Sequence, residues 1–121
     1  MATYTKHILS ASTGGAPILV TGTGATAGTI VHVGPTATTI IHELWLWANN
    51  VATAARDIHV QLGGSATDFT RMIGPLTLTA YEGPKLIIPG IPLTANATTY
   101  AVATATSSVT VFGYINRIAT A

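Results

Sequence analysis

Four histidines, four carboxylates and two tryptophans two residues apart are the side chains here with the widest chemical reach. Imidazole is the commonest metal ligand, and His7, His32, His42 and His59 are numerous enough for a zinc or iron site. None has the helical i, i+4 partner or the two-residue strand spacing of a compact motif. His32 and His42 sit inside apolar runs, where a hydrogen-bonded core histidine is the ordinary outcome. The expectation is no metal and no cofactor, with assembly across strands or at a symmetry axis the one remaining route. Asp57 and His59 alternate onto one side of a strand, and Ser10, Ser12, Ser65, Ser107 and Ser108 are available for a hydrolase triad. No Gly-x-Ser-x-Gly elbow accompanies them, so a solvated face is the better reading. Glu43 shares a strand face with Trp45 and is read as the partner of Arg56 or Arg117, a structural ion pair rather than a catalytic acid. These groups do not make an enzyme.

Two further patterns carry recognition rather than turnover. Gly22-Thr23-Gly24-Ala25-Thr26-Ala27-Gly28 follows a strand and has phosphate-loop spacing. A phosphate loop needs a helix to begin there, whereas the β-branched run Thr29-Ile30-Val31-His32-Val33 follows, so a β-loop is expected. Trp45 and Trp47, with Tyr100 or Tyr114, offer flat apolar surfaces with polar edges that suit sugar rings. Their other use is to anchor the core or a subunit interface, where aromatic residues are enriched. The interface or core reading is preferred, and a glycan is the alternative partner.

The elements that position these residues are strands. Apolar segments at Pro17–Thr21, Ala27–Val33, Thr38–Ala48, Arg56–Leu62, Phe69–Thr79, Lys85–Ile88, Thr98–Thr106 and Val109–Ile118 are separated by Gly, Pro, Asn and Ser. In the longest, Ile40, His42, Leu44 and Leu46 point one way and Ile41, Glu43, Trp45 and Trp47 the other. Val109, Val111, Gly113 and Ile115 similarly oppose Phe112, Tyr114 and Ile118. Ser107-Ser108 fits a two-residue hairpin turn. About eight strands and no helix predict an all-β fold, a single β-sandwich of antiparallel strands with jelly-roll-like topology over residues 17–121. Residues 1–16, without periodicity and ending in Gly14-Gly15, are expected to form an extended, flexible N-terminal arm.

Composition narrows the function further. The chain has 121 residues and no cysteine, which excludes disulfides, thiolate metal sites and cysteine nucleophiles. Five Lys/Arg cannot form a phosphate-tracking stripe, so direct nucleic-acid binding is not expected. No run approaches the roughly 20 apolar residues of a membrane-spanning helix, and no secretory signal is apparent. Charged residues make up 7% of the chain, where an ordinary soluble domain has roughly 25%. Thr, with 22 copies, and Ala, with 19, fill the gap. A surface so poor in charge lacks the usual means of staying soluble alone, and is expected to be covered by other protein.

Three segments carry a resemblance: Thr39-Ile40-Ile41-His42-Glu43-Leu44-Trp45-Leu46-Trp47, then Gly63-Gly64 with Ile87-Ile88-Pro89-Gly90-Ile91-Pro92-Leu93, and the closing Val111-Phe112-Gly113-Tyr114-Ile115-Asn116-Arg117-Ile118. This pattern, over about two-thirds of the chain, resembles small virion proteins of tailed bacteriophages. The resemblance implies a capsid decoration or cement protein, commonly a homotrimer, bound to the major capsid protein on the virion exterior after synthesis in the bacterial cytoplasm. It brings no active-site residues. A neck, tail or head-fibre-base role is the alternative within the virion. The contact residues expected are Tyr4, Lys6, His7, Ile8 and Leu9 of the arm, which can add a strand to a neighbour's sheet edge, together with Trp45 and Trp47.

Overall fold

The computed structural model describes residues 2–21, 28–63, 72–94, 97–104 and 108–120. They contain nine strands: β1 (Ala2–Ile8), β2 (Ile18–Val20), β3 (Thr29–Val33), β4 (Ile40–Asn50), β5 (Arg56–Leu62), β6 (Met72–Leu78), β7 (Lys85–Leu93), β8 (Thr98–Ala103) and β9 (Val109–Thr120). All pairings are antiparallel. A first sheet runs β1-β9-β4-β7, with β2 continuing the β1 edge beside the start of β9. A second runs β3-β8-β5-β6. The pairing is nested, β5 with β6, β4 with β7, β3 with β8, and β2 and β1 with β9, as if one long hairpin had been rolled up.

The rolling is driven by period-two burial. Leu44, Leu46 and Ala48 of β4 and Val109, Val111 and Ile115 of β9 face inward from the first sheet. Val31, Ile58, Val60, Leu78, Ala101 and Ala103 meet them from the second, and all belong to one buried cluster. On β8 the side chains facing this core are the small Ala101 and Ala103, while Tyr100 and Val102 alternate to the other side. The arrangement of the two sheets is sandwich-like.

Three expectations need correction. Ala2–Ile8 is a strand of the chain's own sheet, in unbroken register with β9 from Ala2↔Thr120 to Ile8↔Tyr114. Leu9 is 1% exposed and part of the core, so residues 2–9 belong to the body. β1 carries no alternation because its side chains are exposed on both faces and need no apolar pattern. Second, β7 does not stop at Ile88 but runs through Pro89-Gly90 to Leu93. It is an edge strand with two register shifts against β4, where proline costs no ladder bond. Third, β8 and β9 lie in different sheets and do not pair, so they are not the two arms of a hairpin; Ser107 itself lies outside the described residues. The Gly22–Ala27 loop also lies outside the described residues.

Among the described glycines, the one with least room for a side chain lies where β4 meets β9. Leu46 pairs with Gly113, and a Cβ at Gly113 would lie 2.0 Å from the Trp45 carbonyl oxygen and 3.1 Å from the Leu46 Cα. Gly113→Ala should therefore force the central strands apart and destabilise the protein by about 3 kcal/mol in equilibrium denaturation. Gly83→Ala, where a Cβ meets nothing within 4 Å, should be close to neutral. Equal effects would remove this contact from its central place.

Candidate functional site

The register places the outward side chains of the first sheet in rows. Tyr4, Ile118 and Ile41 form one, and Lys6, Asn116, Glu43 and Pro92 the next. Ile8, Tyr114, Trp45 and Pro89 follow, and Phe112, Trp47 and Leu86 complete the face. The rings are ordered against one another. Trp45 stacks on Tyr114 at 6.3 Å between centroids, Trp47 stacks on Phe112 at 6.2 Å, and Trp47 meets Tyr114 at 6.0 Å. Such offset pairs contribute beyond their buried area and hold flat surfaces in fixed orientation. Lys6 Nζ lies 4.4 Å from the Tyr114 ring centroid, a cation–π contact.

Beneath Trp45 is Gly90, at φ 81°, where a Cβ would fall 2.9 Å from the indole Cζ2. Glu43 fixes the other side of this ring. Its Oε1 accepts hydrogen bonds from Trp45 Nε1 at 2.8 Å and Asn116 Nδ2 at 3.1 Å. These bonds, the Trp45 one foremost, hold the carboxyl below its ordinary pKa against the opposing pull of desolvation. The ion pairs expected for Glu43 are not formed. Arg117 pairs with His42 in register, on the opposite face, and Arg56 donates from Nε to Ser108 Oγ at 3.3 Å.

Of the seven predicted contact residues, Tyr4, Lys6, Ile8, Trp45 and Trp47 share this face. His7 points to the other side of β1, where its Nε2 lies 3.0 Å from Thr5 Oγ1, and Leu9 is core. Tyr100 belongs to β8 of the second sheet and packs against Gly28, so only Tyr114 joins the tryptophans. Sequence reasoning missed Asn116 and Gly90. The alternation of β9 places Asn116 beside Glu43, whereas Gly90 is visible only once β7 crosses beneath the indole. Asp57 accepts a hydrogen bond from Thr77 Oγ1 at 2.8 Å on its Oδ1 and is bound into its own sheet.

A second polar arrangement ties the sheets together. His32 of β3 and His42 of β4 share a 2.9 Å hydrogen bond between Nε2 and Nδ1. The Ser10 backbone N–H donates to His32 Nδ1 at 3.0 Å, and Val33 N–H donates to Ser10 Oγ at 2.8 Å. Because a backbone amide can only donate, His32 Nδ1 is bare and its proton sits on Nε2, which donates to His42. Both rings are thereby neutral. Burial, then the neighbouring His42, lowers the His32 pKa from 6.5 to about 4. His42 is lowered by burial, then by Arg117 and His7. Among the described residues, no three His, Asp or Glu side chains gather as a metal site.

No protein-family model, curated protein or solved structure matches this chain. Among the described residues, no helix is long and apolar enough to cross a membrane.

The histidine relay sets a pH dependence. The folded state holds His32 neutral, whereas the unfolded chain protonates near 6.5, so the unfolded state binds more protons in this window. Stability should be complete above pH 6.5 and fall as pH drops toward 4, by about 3 kcal/mol from His32 alone. Denaturation at stepped pH and the His32 ring resonances by NMR check this. A His32 titration midpoint near 6.5 would contradict the relay.

Proposed function

We propose that this chain is a non-enzymatic structural protein of a tailed-bacteriophage virion, bound to the major capsid protein on the outer shell as a decoration or cement protein. The observation that carries the reading is the ordered aromatic and aliphatic face of the first sheet. Tyr4 is 70% exposed, Ile8 53% and Leu86 44%, around Trp45, oriented by Glu43 and Gly90, and Trp47, packed on Phe112 and Tyr114. Rigid aromatic side chains lose little conformational entropy on contact, and a broad patch of them suits adhesion to a large protein surface. The strand orders β1/β2-β9-β4-β7 and β3-β8-β5-β6 support a jelly-roll reading, with β1 and β2 as one interrupted strand.

A cement protein needs contact area more than chemistry, and the three described carboxylates are bonded within the chain. Glu43 is occupied by Trp45 and Asn116, Asp57 by Thr77, and Glu82 accepts from the Thr79 N–H at 2.9 Å. Repetition on a closed shell multiplies a weak contact into firm attachment. A glycan-binding reading is favoured by one feature, the Glu43–Asn116 polar row beside the Trp45 and Tyr114 rings. The pairing of those rings with each other favours a protein partner instead.

Virions made with and without a working copy of the gene test the proposal. A decoration protein should be present in amounts comparable to the major capsid protein, and its loss should lower the temperature at which particles release DNA. A small fraction of that amount would indicate a neck or tail position. Absence from the particle, with tryptophan fluorescence responding to a glycan panel, would overturn the proposal.

A further inference from the structure

The four sheet edges of this fold are unlike one another. β7 carries Pro89 and Pro92 and two register shifts. β6 carries Gly74-Pro75 and a register shift between Ile58 and Val60 of its partner β5. β3 has five residues and a shift between Ile30 and His32. Proline, bulges and short length are the devices by which edges avoid joining other chains. The β1 edge has none of them. Ala2–Ile8 is seven residues long, free of Gly and Pro, in unbroken register with β9, and paired with no other strand among the described residues. Its one charge, Lys6, leans over Tyr114 of β9, away from the open side.

We propose that β1 is where two copies of this chain join, pairing antiparallel about a two-fold axis at Thr5 so that their first sheets become one. The residues of β1 select a second copy as the occupant. With all seven residues paired, Thr5 lies opposite Thr5 of the second copy, Thr3 opposite His7, and Ala2 opposite Ile8. Tyr4 of each copy lies opposite Lys6 of the other, so no like charges meet and each lysine gains a tyrosine beside it. A slip by two residues would set the two lysines against each other. Tyr4, Lys6 and Ile8 project on the same side as Trp45, so the joined sheets would present one aromatic surface across the axis. This departs from the three-fold association that the phage resemblance implies, and it does not depend on the virion reading.

The absence of native cysteine makes the register directly testable in the full chain. In Thr5→Cys the two thiols face each other across the axis. In Thr3→Cys, exposed on the same side of β1, they lie four residue steps apart, roughly 13 Å, beyond disulfide reach. Under mild oxidation Thr5→Cys should give roughly ten-fold more covalent dimer than Thr3→Cys. Tyr4→Lys, at an exposed position, places lysines opposite each other twice and should weaken dimerisation in sedimentation equilibrium roughly ten-fold. Tyr4→Lys with Lys6→Glu should restore it. Equal cross-linking at positions 3 and 5, or association indifferent to Tyr4→Lys, would overturn the proposal. Because neither measurement uses particles, failure here leaves the virion reading to its own test.

Discussion

The β4–β9 ladder is the constraint on which the rest depends. Eleven consecutive pairs, Ile40↔Ala119 to Asn50↔Val109, run without a shift, and Gly113 allows the strands to meet at the Trp45 carbonyl. Since side chains alternate, an unbroken register fixes every one of them to a face. Leu44, Leu46 and Ala48 go to the core with Val111 and Ile115. Trp45 and Trp47 go outward with Phe112 and Tyr114. The same ladder sets β1 on one flank and β7 on the other, which brings Lys6 over Tyr114 and Gly90 under Trp45. Core and aromatic face are two consequences of one pairing.

The polar interior follows the same economy. Asn50 is 1% exposed, and its Nδ2 donates to the carbonyls of Ala54, Leu78 and Thr79 while its Oδ1 accepts from the Ala52 N–H. This side chain fastens the end of β4 to the exit of β6. The His32–His42 pair fastens the other end, joining β3 to β4 and holding Ser10 as the chain leaves β1. Neutral hydrogen bonds carry these joints. The ion pair found among the described residues, Lys85–Glu82 at 3.9 Å, lies at the surface, where such pairs contribute little. A molecule fastened this way needs few charges to fold, and its faces are left to hydroxyl and apolar groups.

How much of this is legible in the sequence depends on whether a residue answers to its neighbours in the chain or to another strand. β4, β5 and β9 are half-buried and alternating, so their existence and faces read directly, down to the separation of Leu46 from Trp47, whereas β4 lies two residues further along than Thr38–Ala48 and β9 runs two residues past Ile118. β1 is silent because exposure on both sides imposes no pattern. Glu43 illustrates a different limit. Its opposite face from Arg117 follows from alternation only when the β4–β9 register is known, and local sequence does not set that register. Leu9 and Gly90 are decided by what crosses them, Leu9 by the closing core and Gly90 by the indole above it.

Under the proposed virion role, the Trp45 face of the first sheet is covered by other protein on the particle. Hydroxyl-radical footprinting of the chain, free and on purified virions, measures that coverage residue by residue. Oxidation of Trp45 and Tyr4 should fall several-fold on the particle, while Tyr81, on the turn between β6 and β7, keeps its reactivity. Unchanged labelling of Trp45 and Tyr4 on particles that carry the chain would contradict the account.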